Sequence, residues 1–165
     1  MICLLQRQDQ FVTTAVMFAG VDIGGMGVKV GIVTSNGSIV ARKQEKYNPD
    51  HHEPQDVVDL AVSVLYNVLK TTCLKLEDLE AVGVGCPGVL RAGGVVHAAA
   101  NFPSWLDVSL QQLFTETLGR PVTICNDADA AILAEQWVGA AKGGIKNFVM
   151  LSTWLFQKSF TGGRL

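Results

Sequence analysis

Charge is scarce in this chain. Only 17% of its 165 residues are Asp, Glu, Lys or Arg, and thirteen basic residues stand against fifteen acidic ones, for a formal net charge of −2. No basic stretch is present to meet a phosphate backbone, so a nucleic-acid partner is disfavoured. Paired cysteines are also missing: Cys3, Cys73, Cys86 and Cys125 form no C-x-x-C unit. The expectation is buried, reduced thiols rather than zinc ligands or disulfides, which points to the cytosol. Nor is there an apolar run of the roughly 20 residues a membrane helix needs. The opening "MICLLQRQDQFVTTAVMF" is broken by Gln6-Arg7-Gln8-Asp9 and is too short for a span or a good signal peptide. Residues 1–17 are expected to be a ragged extension, with Met17 a candidate start. Internal repeats and low-complexity linkers are absent too.

What remains is apolar. Hydrophobic residues make up 48% of the chain, too many for a disordered protein and enough for one domain with a real core. Residues 18–23, 28–33 and 38–44 read as strands, with Ser35-Asn36-Gly37 as the turn between the second and third. Residues 47–53 read as a polar connection carrying His51 and His52. From Pro54 to about Cys73, Val57, Ala61, Val64, Leu65, Val68 and Leu69 recur at helical spacing, and proline suits a first helical turn. A strand over 81–85 ends at Pro87-Gly88. The stretch "LRAGGVVHAAANFPSW" is expected to be irregular or a small hairpin with Gly93-Gly94 at its tip. Ser109 opens a short amphipathic helix that Gly119 stops. Strand "PVTIC" then runs directly into an Ala-rich helix ending near Gly139, and "KNFVML" is a last strand. This order predicts an α/β layered domain.

Three features fall at strand ends, where open α/β sheets place ligands. The first is Asp22 with Gly24-Gly25. Backbone N–H groups in a glycine turn can face an anion closely because no Cβ intervenes, and an acid beside them can hold water around a phosphate-bound Mg²⁺. The alternative is a plain connecting turn. No G-K-[ST] follows, so this is not a P-loop, and a strand rather than a helix follows, so it is not a dinucleotide fingerprint. The second is "CPGVL", a sharp turn whose backbone can meet a flat small molecule or merely punctuate the chain. The third is "CNDADAA". Here Asp127 is either an ordinary helix N-cap or a carboxylate facing the same cleft, ready to orient and deprotonate a hydroxyl. The helix N-terminus would favour its charged form. A carboxylate is a weak base, which suits phosphoryl transfer because its transition state is loose. His51, His52 and His97 lack metal-like spacing and are expected to be exposed loop residues. Trp105 is either a packing residue or a ligand platform.

Taken in order, "VDIGG", "VGVGCPG", "NFPSW", "RPVTICNDADAA", "AEQWVGAAKG" and "KNFVMLS" resemble the ROK family of sugar kinases and repressors, over Phe18 to about Ser152. The resemblance implies an actin-like ATPase (ribonuclease H-like) fold, a mixed sheet with helices packed on it, of which this chain is similar to the first lobe. It implies ATP with its Mg²⁺ as cofactor and a hexose as substrate, glucose first, with N-acetylmannosamine or N-acetylglucosamine as alternatives. By the same resemblance Asp127 matches the catalytic base, and Asn126 and Asn101 match residues that hydrogen-bond other sugar hydroxyls. Gly88 lies where the Pro-Gly turn borders the sugar, Gly24 and Gly25 match the first phosphate loop, and Asp22 lies near the metal. The sequence departs from the usual family pattern at Met26, commonly threonine, at Gly27, commonly lysine or asparagine, and at Asp129, commonly asparagine.

After "FVMLS" the family continues into a second phosphate loop, a sugar-binding and zinc-binding region and an adenosine-binding lobe. This chain instead reads "TWLFQKSFTGGRL". The expectation is therefore a kinase lobe over 18–152, a divergent tail over 153–165 left by truncation or an error of the gene model, and no structural zinc. Alone, the lobe is expected to show little or no kinase activity. Its rival role is a non-catalytic sugar-binding or dimerising module, a possible homodimer. The family's repressors are disfavoured because no helix-turn-helix segment precedes Phe18.

Overall fold

The computed structural model describes residues 15–47, 53–151 and 157–161. His51, His52, Cys3 and nearly all of the expected N-terminal extension lie outside the described residues.

Alternation builds the central sheet. In β1 (Met17–Gly24), Ala19, Val21 and Ile23 are buried, and in β2 (Gly27–Thr34) so are Val28, Val30 and Ile32. Residues between them face the other way, as a period of two requires. Strand β1 pairs antiparallel with β2, and β2 with β3 (Ile39–Lys46), across the Ser35–Gly37 turn. Helix α1 (Pro54–Thr72) then lies on the buried face. It inserts Val57, Val58, Ala61, Val62, Val64, Leu65, Val68 and Leu69, each of the large ones worth about 1.5–3 kcal/mol relative to exposure. Cys73 caps its end in the left-handed conformation, so this thiol is exposed rather than buried as expected.

The chain returns as β4 (Leu79–Cys86), parallel to β1, and later as β8 (Val122–Asn126), parallel to β4, giving the order β3-β2-β1-β4-β8. The Arg120 guanidinium fixes the entry to β8 by donating to the carbonyls of Leu76 (2.5 Å), Leu79 (2.9 Å) and Glu80 (3.2 Å). Helix α2 (Leu110–Leu118) follows Ser109 and stops at the left-handed Gly119. Helix α3 (Asp127–Trp137) starts where β8 ends and packs on the other face, with Ala130 and the Asp127 Cα against Gly85. Strand β9 (Asn147–Leu151) pairs antiparallel with β10 (Gln157–Thr161), a strand the sequence did not announce.

The stretch expected to be irregular or a small hairpin is a three-stranded antiparallel sheet. It comprises β5 (Val89–Arg91), β6 (Val95–Ala99) and β7 (Phe102–Val108), with Gly93-Gly94 in the first turn. Its anchor is aromatic: Phe102 and Trp105 are 0% and 1% exposed and stack with centroids 4.3 Å apart. Trp105 is thus a packing residue, and its Nε1–H finds no acceptor among the described residues. Phe102→Ala removes half of this stack and leaves a void against Trp105. The expected loss is about 3–5 kcal/mol, read from urea unfolding.

Candidate functional site

Strands β1, β4 and β8 run parallel, so their C-terminal ends reach one edge of the sheet. Register sets Asp22 opposite Gly85, Gly85 opposite Cys125, and Cys86 opposite Asn126. The thiol of Cys86 marks the meeting point. It is buried, and its pKa is pushed up to about 12, first by desolvation and then by the negative charges of Asp127 and Asp22. The negative charges of Asp22 and Asp127 thus both bear on this one thiol. Both residues also line a single open groove of about 580 Å³ across the outer face of the sheet. The floor of that groove is bare because Gly31, Gly20 and Gly83 sit side by side on β2, β1 and β4.

Asp127 is not the helix cap. That role falls to Asn126, whose Oδ1 accepts from the N–H groups of Ala128 (3.0 Å) and Asp129 (3.3 Å). The reason is that β8 runs one residue further than "PVTIC", which places Asp127 in the first turn. There its Oδ1 accepts from the Ala128 N–H at 2.8 Å. The other end of the Asn126 amide donates to the Gly88 carbonyl at 3.0 Å, tying the Pro87-Gly88 turn to the start of α3. Gly88 has φ +107, and a Cβ there would meet the Ala98 carbonyl at 2.4 Å. Its bare Cα thus serves the close approach of β6.

Gly25 and Met26 form the two-residue turn between β1 and β2, with Gly24 opposite Gly27. The side chain of Asn101, at the β6–β7 turn, lies over this turn: a Cβ on Gly25 would stand 3.0 Å from its Nδ2. Gly27 has a physical reason as well, since a Cβ would fall 2.2 Å from the Glu45 carbonyl. The Met26 side chain, 74% exposed, projects into solvent from the turn.

Two cations that sequence reasoning passed over belong to this region. Lys29 Nζ pairs with Asp22 Oδ2 at 2.8 Å, and Arg42 lines the same groove. The hairpin register sets Lys29 directly opposite Asp22, so the pair was implicit once the Gly25–Met26 turn was placed. Cys125 is half-buried, its pKa raised by burial and by Asp129 and Asp127. Among the described residues, no group of three His, Cys, Asp or Glu is placed to hold a metal, and no helix is long and apolar enough to cross a membrane. His97 departs from its expected loop: it lies on β6, where Nδ1 meets Asp107 Oδ1 at 2.8 Å and Nε2 meets Arg91 Nη2 at 3.1 Å. The hydrogen bond with His97, and then the Arg91 guanidinium, hold the Asp107 carboxyl below its usual range.

A mixed sheet with helices packed on both faces is the architecture of a lobe of the actin-like ATPase fold. The chain belongs to the ROK family, whose model matches residues 18–153. It is similar to a glucokinase of Thermotoga maritima, 33% identical over 125 residues, covering 75% of this chain and 38% of that protein. It is also similar to a polyphosphate glucokinase of Mycobacterium tuberculosis, 35% identical over 136 residues, covering 81% of this chain and 48% of the relative. A ROK glucokinase from Streptomyces griseus, solved with glucose and AMPPNP, superposes with a TM-score of 0.75 at 26% identity. That match covers 90% of this chain and 45% of the other. The chain thus spans less than half the length of these relatives.

Proposed function

We propose that this lobe, spanning residues 18–152, belongs to a glucokinase-like hexose kinase and forms its sugar-binding and phosphoryl-receiving wall. One observation carries the reading: the Asp22 and Asp127 carboxylates line one groove at the ends of parallel strands β1 and β8, which flank β4, with Asn126 beside the second and the Gly24–Gly25 turn beside the first. In this reading Asp127 accepts the proton of the sugar hydroxyl as its oxygen attacks the terminal phosphorus. Positioning supplies much of the rate, so a weak base suffices. Asn126, Asn101 and the Gly88 turn orient the remaining hydroxyls. The bare backbone of Gly24 and Gly25 faces the phosphoryl group.

The residues fit a nucleotide's Mg²⁺ only as a partner to phosphate. Asp22 precedes the glycine turn on β1, and phosphate oxygens and waters would supply the other ligands, neutralising phosphate charge. Lys29, now on Asp22, is the group that would have to release it. Glucose is the favoured acceptor and N-acetylmannosamine the alternative. With free thiols at Cys86 and Cys125, the cytoplasm is the proposed location.

A second reading concerns the donor. Inorganic polyphosphate in place of ATP is favoured by Lys29 and Arg42 in the groove and by the likeness to a polyphosphate glucokinase. Calorimetry with glucose, N-acetylmannosamine, MgATP and polyphosphate, with a coupled turnover assay, separates these outcomes. Glucose binding together with one donor is expected. Sugar binding with no donor and dimeric size would favour the non-catalytic module. If no sugar binds at millimolar concentration, the kinase reading falls.

A further inference from the structure

Residues 47–53 read as a polar connection in the sequence, yet Tyr47 is half-buried and reaches both sides of the site. Its hydroxyl donates to the Gly24 carbonyl at 2.5 Å, while its backbone N–H donates to the Met26 carbonyl at 3.3 Å. One residue therefore brackets Gly25 from either side. Its ring lies 6.0 Å from the ring of Phe102, tilted by 37°, and Phe102 stacks in turn on Trp105. Phe102 directly follows Asn101, whose amide rests over Gly25. The contacts close a circuit: Tyr47 to Gly24, along the chain to Gly25, across to Asn101, along to Phe102 and back to Tyr47.

We infer that Tyr47 is a positioning residue that locks the Gly24–Met26 turn and the Asn101 side chain into one geometry, so that the phosphate side and the sugar side of the site move as a unit. This rests on the kinase reading for its functional meaning, though the mechanical link stands on the contacts alone. Burial, then Cys86 and Asp22, push the phenol's ionisation well above its ordinary range, so the hydroxyl stays a donor at physiological pH. Tyr47→Phe keeps the ring on Phe102 and strips the Gly24 carbonyl of its partner. Tyr47→Leu removes both contacts.

Two measurements test this. In ¹H–¹⁵N spectra of the ligand-free chain, Tyr47→Phe is expected to shift the Gly25 and Met26 amides and the Asn101 side-chain amide. Tyr66→Phe, a change at a half-exposed site on α1, leaves them in place. An unmoved Asn101 amide overturns the inference, whatever the protein binds. In calorimetry, Tyr47→Phe is expected to weaken binding of MgATP or polyphosphate and of glucose together, each roughly five- to tenfold, and Tyr47→Leu to weaken both further. Donor affinity lost with glucose affinity unchanged in Tyr47→Phe would show that the two sides move independently and overturn the assignment. If the spectra shift as expected while the unaltered chain binds no sugar or donor, the link stands and the kinase reading fails.

Discussion

Asp127→Asn is expected to lower turnover by about 10²–10⁴-fold in the protein carrying this lobe, while glucose affinity stays within a few-fold. The substitution is close to isosteric. It leaves the helix cap intact, because Asn126 and not Asp127 caps α3 and the Ala128 N–H retains its bond to the Asn126 Oδ1. What disappears is the negative charge and the lone pair that takes the hydroxyl proton. A coupled assay read beside glucose calorimetry separates lost chemistry from lost binding. Turnover retained within tenfold would remove Asp127 from the role of base.

The same variant has a signature that requires no activity. Desolvation is the first cause of the raised Cys86 thiol pKa, and the charge of Asp127 is the second. Removing that charge lowers the cost of forming a thiolate beside it, so Cys86 is expected to titrate at lower pH in Asp127→Asn. The Cβ carbon shift of Cys86 across an alkaline titration reads this directly. An unchanged midpoint would mean that the Asp127 charge does not reach the Cys86 thiol.

Much of this arrangement was legible because it is local. Helical spacing from Val57 to Leu69 marked α1 to within a residue, and Ser35-Asn36-Gly37 marked the turn before β3. The strand-end placement of Asp22, Gly88 and Asp127 followed from apolar runs ending at Gly, Pro and Asp, before any family likeness was invoked. The misreadings have physical causes. "NFPSW" lies in the stretch expected to be irregular or a small hairpin, and its proline disfavours a strand, yet β7 is an edge strand of its sheet, where Pro103 is exposed and the missing N–H breaks no central ladder. "CNDADAA" offers three capping side chains in four positions, and only the length of β8 decides among them. The bonds of His97 to Asp107 and Arg91 join residues ten and six positions away through the pairing of β5, β6 and β7. Asn101 over Gly25 and Tyr47 on Gly24 are tertiary contacts, with no periodicity or spacing that announces them.

Gly88→Ala is the substitution expected to damage the fold and the site together. At φ +107 an L-residue is strained by about 1–3 kcal/mol. The added Cβ would also stand 2.4 Å from the Ala98 carbonyl, 2.8 Å from the Ala99 Cβ and 2.9 Å from the Ala99 Cα. These are largely backbone atoms of β6 that cannot rotate away, so overpacking adds about 1–3 kcal/mol. Gly93→Ala is the internal control. Its φ is +79 but nothing lies within 4 Å of its Cβ position, so it bears the conformational cost alone. Thermal melts of the two variants should therefore differ by several degrees, with Gly88→Ala the lower. The functional effect should exceed the stability effect. The Gly88 carbonyl receives the Asn126 amide, and Asn126 holds the first turn of α3 on which Asp127 rides, so displacing the turn moves the cap and the carboxylate together. Well below both melting points, glucose affinity is expected to fall about tenfold or more in Gly88→Ala and to hold in Gly93→Ala. Equal melting temperatures would mean that β6 yields to the methyl group. A large drop in melting temperature with glucose affinity unchanged would mean that the Pro87-Gly88 turn supports the sheet but not the site.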